Sequence, residues 1–265
     1  MWIVYFVTVL FATVLGGATG MGGGIIIKPT LDMLGHYNAS GISMLSSITV
    51  FAMAVVSILR QRGNEDSPPS SVVAPLSIGA AIGGILGSFL LDAMIAGNSN
   101  SGVTILQNII LAVLVALIFV YLKYKEKLPS LNLASNKAGA VPAVVAGLTL
   151  GVVSSFLGIG GGPINVPVII FCFGFSVKKA AICSLFTILS GQMAKILIAA
   201  IAGGFGAYDL SMLPVMLAGA VIGGFVGGSI LKKVSKNAAD VLFKAALCVV
   251  LCMCAVNILK QYLSV

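Results

Sequence analysis

Charge is what this chain has least of. Among 265 residues, 15 are Lys or Arg and 7 are Asp or Glu, 8% in total, against roughly 25% in a soluble domain. So few charges cannot keep a surface of this size wet, which excludes an ordinary soluble globular protein. The apolar runs reach the ~20 residues that one helical crossing needs and lack the alternation of barrel strands. No Lys or Arg precedes the first run, Met1-Trp2-Ile3-Val4-Tyr5-Phe6. A cleaved signal peptide begins with a basic stretch, so this segment is read as retained. No Walker motif is present, which argues against ATP hydrolysis by this chain. The five cysteines, Cys172, Cys183, Cys248, Cys252 and Cys254, form no CxxC pair and have no His partner. No metal site and no cofactor are therefore expected. The net charge of +8 forms no basic stripe, so a nucleic-acid partner is not expected either. The basic residues lie in short loops between apolar runs, as positive-inside topology requires.

Glycine, by contrast, is abundant and patterned. Gly20-Met21-Gly22-Gly23-Gly24 and Gly158-Ile159-Gly160-Gly161-Gly162 repeat with an offset of 138, and Pro29 falls on Pro167 with the same offset. Ser46 and Thr49 map on Ser184 and Thr187. A second pair of rows, Gly79/Gly83/Gly87 and Gly219/Gly223/Gly227, repeats with an offset of 140. Such self-similarity marks a duplicated unit. The later rows have the four-residue spacing that lets membrane helices approach closely.

The fold class expected is an all-α polytopic membrane protein of two inverted repeats. Each repeat is a re-entrant or broken-helix hairpin plus three transmembrane helices. The first repeat spans 1–122, with a hairpin over 2–36 and helices over 41–59, 71–91 and 103–122. A basic cytoplasmic linker covers 123–137, with Lys123, Lys125, Lys127 and Lys137. The second repeat spans 138–265, with a hairpin over 138–177 and helices over 180–202, 210–231 and 239–260. Inversion follows from the loops: Arg60 and Arg62 have no basic counterpart near Gly203–Asp209, and Lys178, Lys179, Lys232, Lys233 and Lys236 have none near His36–Ser40 or Gly97–Gly102. Both termini then lie outside a cell (inner, cytoplasmic) membrane. Non-helical backbone at membrane depth must line a cavity or be buried in protein, so the two glycine tips are expected to meet. The helix N-termini after them offer N–H groups and positive dipole ends to an anion. Pro163 is expected at the first helical position after the second tip. Ile25 stands where the second half has Pro163, which makes the first hairpin the less ordered one.

The two glycine motifs, together with Pro163-Ile164-Asn165-Val166-Pro167 and Ala180-Ala181-Ile182-Cys183-Ser184-Leu185, resemble the sulfite exporter TauE/SafE family over nearly the whole chain. The resemblance implies a bacterial or archaeal transporter of sulfite, sulfoacetate or another small organosulfur or carbon anion, and not an enzyme.

The residues themselves suggest the substrate-binding set. It comprises Gly20, Gly22, Gly23, Gly24, Gly158, Gly160, Gly161 and Gly162 at the tips and Asn165 just after the second. On the following helices it includes the hydroxyls Ser46, Thr49, Ser184 and Thr187, together with Gln192 and Lys195. An intramembrane charge such as Lys195 suggests function, its alternative being snorkelling to the outer surface. The hydroxyls can equally bond their own helix carbonyls. Lys28, Asp32 and His36 share one helical face; the default reading is the exposed end of a hairpin arm, the alternative a proton relay. Asp92 is expected to cap its helix or face the outer surface. Deeply buried carboxylates are thus expected to be scarce.

The function expected is a secondary transporter working in export by alternating access around the two breaks. A coupling proton or sodium ion and a homodimer are candidate partners beside the lipid bilayer. The alternatives are a re-entrant-loop channel for small solutes and a thiosulfate or thiol-relay transporter using the membrane cysteines, including a membrane enzyme built on Cys248, Cys252 and Cys254.

Overall fold

The computed structural model describes residues 1–97, 100–124, 130–133 and 140–263. Lys125, Lys127 and Lys137 of the linker and Asn98 of the loop before 102 lie outside the described residues, as do 138–139 at the start of the second hairpin. All regular structure among the described residues is helical. The helices are α1 (Trp2–Thr19), α2 (Gly24–Leu34), α3 (Ala39–Arg60), α4 (Ser70–Gly97), α5 (Asn100–Tyr124), α6 (Val141–Phe156), α7 (Asn165–Phe173), α8 (Val177–Ala202), α9 (Leu213–Lys233) and α10 (Lys236–Leu263), with a single 3-10 turn at Phe205–Ala207. Among the described residues, seven helices are long and apolar enough to cross a membrane. Six correspond to the expected crossings and the seventh is α1, the long arm of the first hairpin.

The helices outrun their expected ends by a few residues. α4 in particular continues through Asp92 to Gly97. Asp92 therefore does not end its helix; its side chain projects from the helix at an exposed position. Ile78, Ile82, Leu86 and Phe89 on α4 and Val113, Leu117 and Val120 on α5 are also exposed. Apolar belts of this extent are what a lipid-facing surface carries and a soluble monomer avoids.

Small residues set how closely the helices pack. Methyl groups placed on Gly79, Gly83 and Gly87 of α4 would strike the backbone of Val144, Leu148 and Val152 on α6. Gly219, Gly223 and Gly227 of α9 meet Phe6, Leu10 and Val14 of α1 in the same way. The two sets of partners are equivalent by the 138-residue offset, so the α4–α6 packing recurs as α9–α1. Likewise Gly84 lies on Gly191 of α8, and Gly224 on Met53 of α3.

Between α1 and α2 the chain reverses at the first glycine stretch. Gly16 packs directly on Gly22 and Gly23, and Gly23 on Ala12 and Thr13. At the other end the Tyr5 hydroxyl lies 2.8 Å from His36 Nδ1, so the two arms return to one face. The second break repeats this shape. Its outgoing arm α7 is clasped by linker residues, Leu131 and Leu133 donating backbone hydrogen bonds to Phe171 and Cys172 at 2.9 Å each. Gln107 of α5 donates to the Phe156 carbonyl at 2.6 Å, closing the end of α6.

Candidate functional site

The two breaks are possible because their glycines adopt left-handed backbone. Gly20 and Gly22 have φ of 72° and 76°, and their equivalents Gly158 and Gly160 have 66° and 64°. A side chain with a Cβ is strained in this region. The α1 helix ends on Gly20 in this conformation, whose N–H returns to the Gly16 carbonyl at 2.9 Å. The tips then touch: a methyl on Gly22 would lie 3.3 Å from Gly161 Cα, and one on Gly24 would overlap the Ile159 carbonyl oxygen. Gly161 faces the Ile188 side chain, and Gly160 faces Val50 and the Ser46 carbonyl. Gly162 has looser surroundings, nothing approaching a methyl there within 3.4 Å. Gly23, as described, is turned to α1. The tip glycines thus come together as a set between α3 and α8.

Two details depart from the sequence reading. Pro163 does not open the helix. α7 starts at Asn165, and Pro163 occupies the turn before it, where the Asn165 N–H reaches the Gly162 carbonyl at 3.2 Å. Proline suits the second position of such a turn because its φ is already set. The first hairpin is also no loose tip: Gly16, Gly23 and Gly24 are wedged against backbone, and Ser184 Oγ donates to the Gly20 carbonyl at 2.6 Å.

The candidate side chains divide by hydrogen bonding. Thr187 bonds the Cys183 carbonyl of its own helix at 3.2 Å, and Ser47 does the same to Ser43 at 2.6 Å. Ser184 is spent on the first tip. Ser46 Oγ, Thr49 Oγ1, Asn165 Oδ1 and Gln192 Oε1 are buried with no hydrogen-bond partner among the described residues, each residue being 1% exposed or less. Buried polar atoms are nearly always paired, and leaving one unpaired costs about 1–3 kcal/mol. Ser155 Oγ near the second tip shares this state. The oxygen and nitrogen of the Asn165 and Gln192 amides can exchange places, so either a donor or an acceptor can be presented.

Lys195 does not snorkel. It is 4% exposed, and its Nζ donates to Ser43 Oγ on α3 at 2.5 Å. Ser43 Oγ in turn lies 3.1 Å from where a Gly158 methyl would sit, and Lys28 Cε lies 3.5 Å from the same point. Two lysines thus converge on the second tip from different elements. Lys28 is itself buried, 2% exposed, and pairs with Asp32 at 2.7 Å, the side chains being 3% and 2% exposed. This corrects the expectation of an exposed arm end; only His36 is exposed. It also supplies a buried carboxylate where such groups were expected to be scarce. Asn108 of α5 and Asn257 of α10 supply the cover, donating to Asp32 Oδ2 at 3.4 Å and to the Pro29 carbonyl at 2.8 Å.

Two cavities lie at opposite ends of α3 and α8, the first bordered by Ser43, which also meets Gly158. One, about 150 Å³, is lined by Ser43, Ser88, Asp92, Lys195 and Tyr208. Beside it the Tyr208 hydroxyl is held above its usual titration range, chiefly by burial and then by the Asp92 carboxylate. The other, about 580 Å³, is lined by Gln61, Arg62, Ser67, Ile182 and Phe186. Ser43 and Lys28 were missed as site residues. The signal for Ser43 was faint: it lies one helical turn before Ser47, on a segment already rich in hydroxyls.

Among the described residues no group of His, Cys, Asp and Glu is arranged to hold a metal ion. Cys172, Cys183, Cys248, Cys252 and Cys254 are all free thiols, with Cys248 and Cys252 on the exposed surface of α10.

No curated protein and no solved structure matches the chain. The profile of one family, described as Sulfite exporter TauE/SafE, matches residues 5–258 of the 265. The match takes in both hairpins and every helix that positions them, and the chain belongs to this TauE/SafE family of membrane transporters.

Proposed function

We propose that this protein is a secondary transporter that exports a small sulfur oxyanion or organosulfonate, such as sulfite or sulfoacetate, by alternating access around the two glycine tips. The observation that carries this reading is the contact of Gly22 with Gly161, with Ser46 Oγ beside Gly24 and Asn165 Oδ1 beside Gly162; both atoms are buried and unpaired, as are Thr49 Oγ1 on α3 and Gln192 Oε1 on α8. The helix N-termini of α2 and α7, which follow the tips, favour an anion. Hydroxyls and amides complete its hydrogen bonds, and Lys195 and Lys28 offset its charge. Sulfur oxyanions, with several acceptor oxygens around one centre, suit donors converging from α2, α3, α7 and α8.

The exchanged packing of α4 on α6 and of α9 on α1 supports a division into repeats 1–122 and 138–265 joined by the 123–137 linker. The arms of each hairpin return to one face, which supports an inverted arrangement with both termini outside the cytoplasmic membrane. Rocking of the halves would open the 150 Å³ and 580 Å³ cavities in turn, as in carriers built from inverted repeats.

Counterflow in proteoliposomes tests the transport reading. Labelled sulfite should enter faster when unlabelled sulfite is trapped inside. A flux that neither saturates nor responds to trapped substrate would favour a channel instead. Topology is tested with reporters fused after Lys179 and after Gly97, which should report opposite sides of the membrane.

A further inference from the structure

Three titratable residues climb one face of the first hairpin, one turn apart. His36 is exposed just beyond α2, where its Nδ1 lies 2.8 Å from the Tyr5 hydroxyl. Asp32 lies one turn below and Lys28 one turn below that, joined at 2.7 Å with both side chains buried. The lower end of this ladder reaches the proposed anion site, because Lys28 Cε packs against Gly158.

The pair is built unevenly. Asp32 Oδ2 takes the Lys28 ammonium and faces the Asn108 amide at 3.4 Å. Asp32 Oδ1 is buried and has no hydrogen-bond partner among the described residues. An ion pair kept only for stability needs its remaining lone pairs satisfied to offset desolvation. This one leaves a carboxylate oxygen open and places its lysine within reach of a second anion. The lysine stem is flexible, with three donors on a point charge.

We propose that Lys28 and Asp32 form the ion-coupling site of the transporter; the inference rests on the transport reading above. When an anion occupies the tips, the Lys28 ammonium turns from Asp32 to the anion. Asp32, left as an unpaired buried carboxylate, takes up one proton on Oδ1 from the side on which the anion loaded, and gives it up at the His36 end. Charge balances: a neutral Lys⁺/Asp⁻ pair becomes a neutral Lys⁺/anion⁻ pair beside a neutral carboxylic acid. One anion charge and one proton therefore cross together, and both are released when Lys28 returns to Asp32. Lys195 remains to answer a second negative charge. The titratable groups around Asp32 are Lys28 and His36 on its own side of the hairpin, Tyr5 from α1 and Cys254 from α10. α3 contributes Ser43 at the glycine that Lys28 touches, and α5 contributes the neutral Asn108.

The experiment compares the unaltered protein with Asp32→Asn in liposomes, using labelled sulfite and a trapped pH dye. Asn stands in for the protonated carboxyl, so D32N is expected to keep counterflow and to lose pH-gradient-driven accumulation. Proton movement with sulfite should fall to that carried by the anion itself. Asp32→Glu should restore coupling, and the double variant K28M/D32N, which removes the buried charges together, should fold, show no pH-driven accumulation and have a raised KM for sulfite, because Lys28 also meets the anion. Coupling of D32N or of K28M/D32N equal to that of the unaltered protein overturns the proposal. So does loss of counterflow together with accumulation in folded D32N, which makes the pair structural or a plain binding element. Absence of sulfite counterflow in the unaltered protein instead overturns the transport reading, and this inference with it.

Discussion

Gly24 and Gly162 stand at equivalent places in the two breaks, yet a methyl on Gly24 would overlap the Ile159 carbonyl oxygen, whereas one on Gly162 would meet only side-chain atoms at 3.4 Å and beyond. The serines one helix later differ in the same sense. Ser184 is committed to the Gly20 carbonyl at 2.6 Å, and its counterpart Ser46 has no partner. The arms differ too: α2 carries the buried Lys28–Asp32 pair, and α7 carries no charge at all. Duplication supplied two similar tips, and their surroundings made them unequal. The first is a wedge held by backbone contact and one serine. The second is looser and has Asn165 Oδ1 beside it, whereas the unpaired Ser46 Oγ borders Gly24 of the first. The two tips are thus alike in backbone but unlike in packing, the first wedged and the second looser.

The largest effect that would sharpen this contrast is steric. Gly24→Ala should prevent the tips from closing, because overpacking against backbone costs about 1–3 kcal/mol or more; folded yield and counterflow should both collapse. Gly162→Ala should leave a folded protein with weakened anion binding. Equal tolerance at the two positions would remove the distinction between the wedged and the looser tip.

Next come the paired serines. Ser184→Ala strands the Gly20 carbonyl and should lower stability by about 1–3 kcal/mol, read as a drop in melting temperature in detergent. Ser46→Ala removes an unpaired hydroxyl, so its melting temperature should hold or rise while the KM for sulfite increases. Reversed results would mean that Ser46 supports the fold and Ser184 binds the anion.

Lys195→Met should raise KM about tenfold, equivalent to about 1.4 kcal/mol, if its ammonium at Ser43 serves the second tip. A variant with unchanged KM and only a lower melting temperature would assign Lys195 to packing. The smallest effect belongs to the thiols. Cys248→Ser and Cys252→Ser lie on an exposed face and should alter stability by no more than about 0.5 kcal/mol, with transport intact. Lost transport would revive the thiol-relay alternative.

Much of the site could be read from residue order because the breaks are local. Left-handed turns at Gly20, Gly22, Gly158 and Gly160 need glycine whatever surrounds them. Polar residues in apolar helices next to such turns stand out, which is how Ser46, Thr49, Asn165 and Gln192 became candidates. The burial of Lys28 and Asp32 was not legible in the same way. A Lys and an Asp four residues apart look alike on an exposed helix and inside a bundle. Asn108 and Asn257, which cover this pair, come from helices 76 and 225 residues away from Asp32 in sequence. Nor could Pro163 be placed, since proline suits a turn and a first helical position equally well.

Residue order by itself determined that this chain lives in a membrane, where it breaks, and that the breaks come in two copies, because charge content, glycine backbone freedom and periodicity are local properties. Tertiary structure alone decided which copy is wedged against backbone and which is looser. That distinction depends on whether Ile159 or open space faces a glycine, and on which helix brings its amides over a buried charge. Such contacts join residues that are distant along the chain, so they form only when the helices pack.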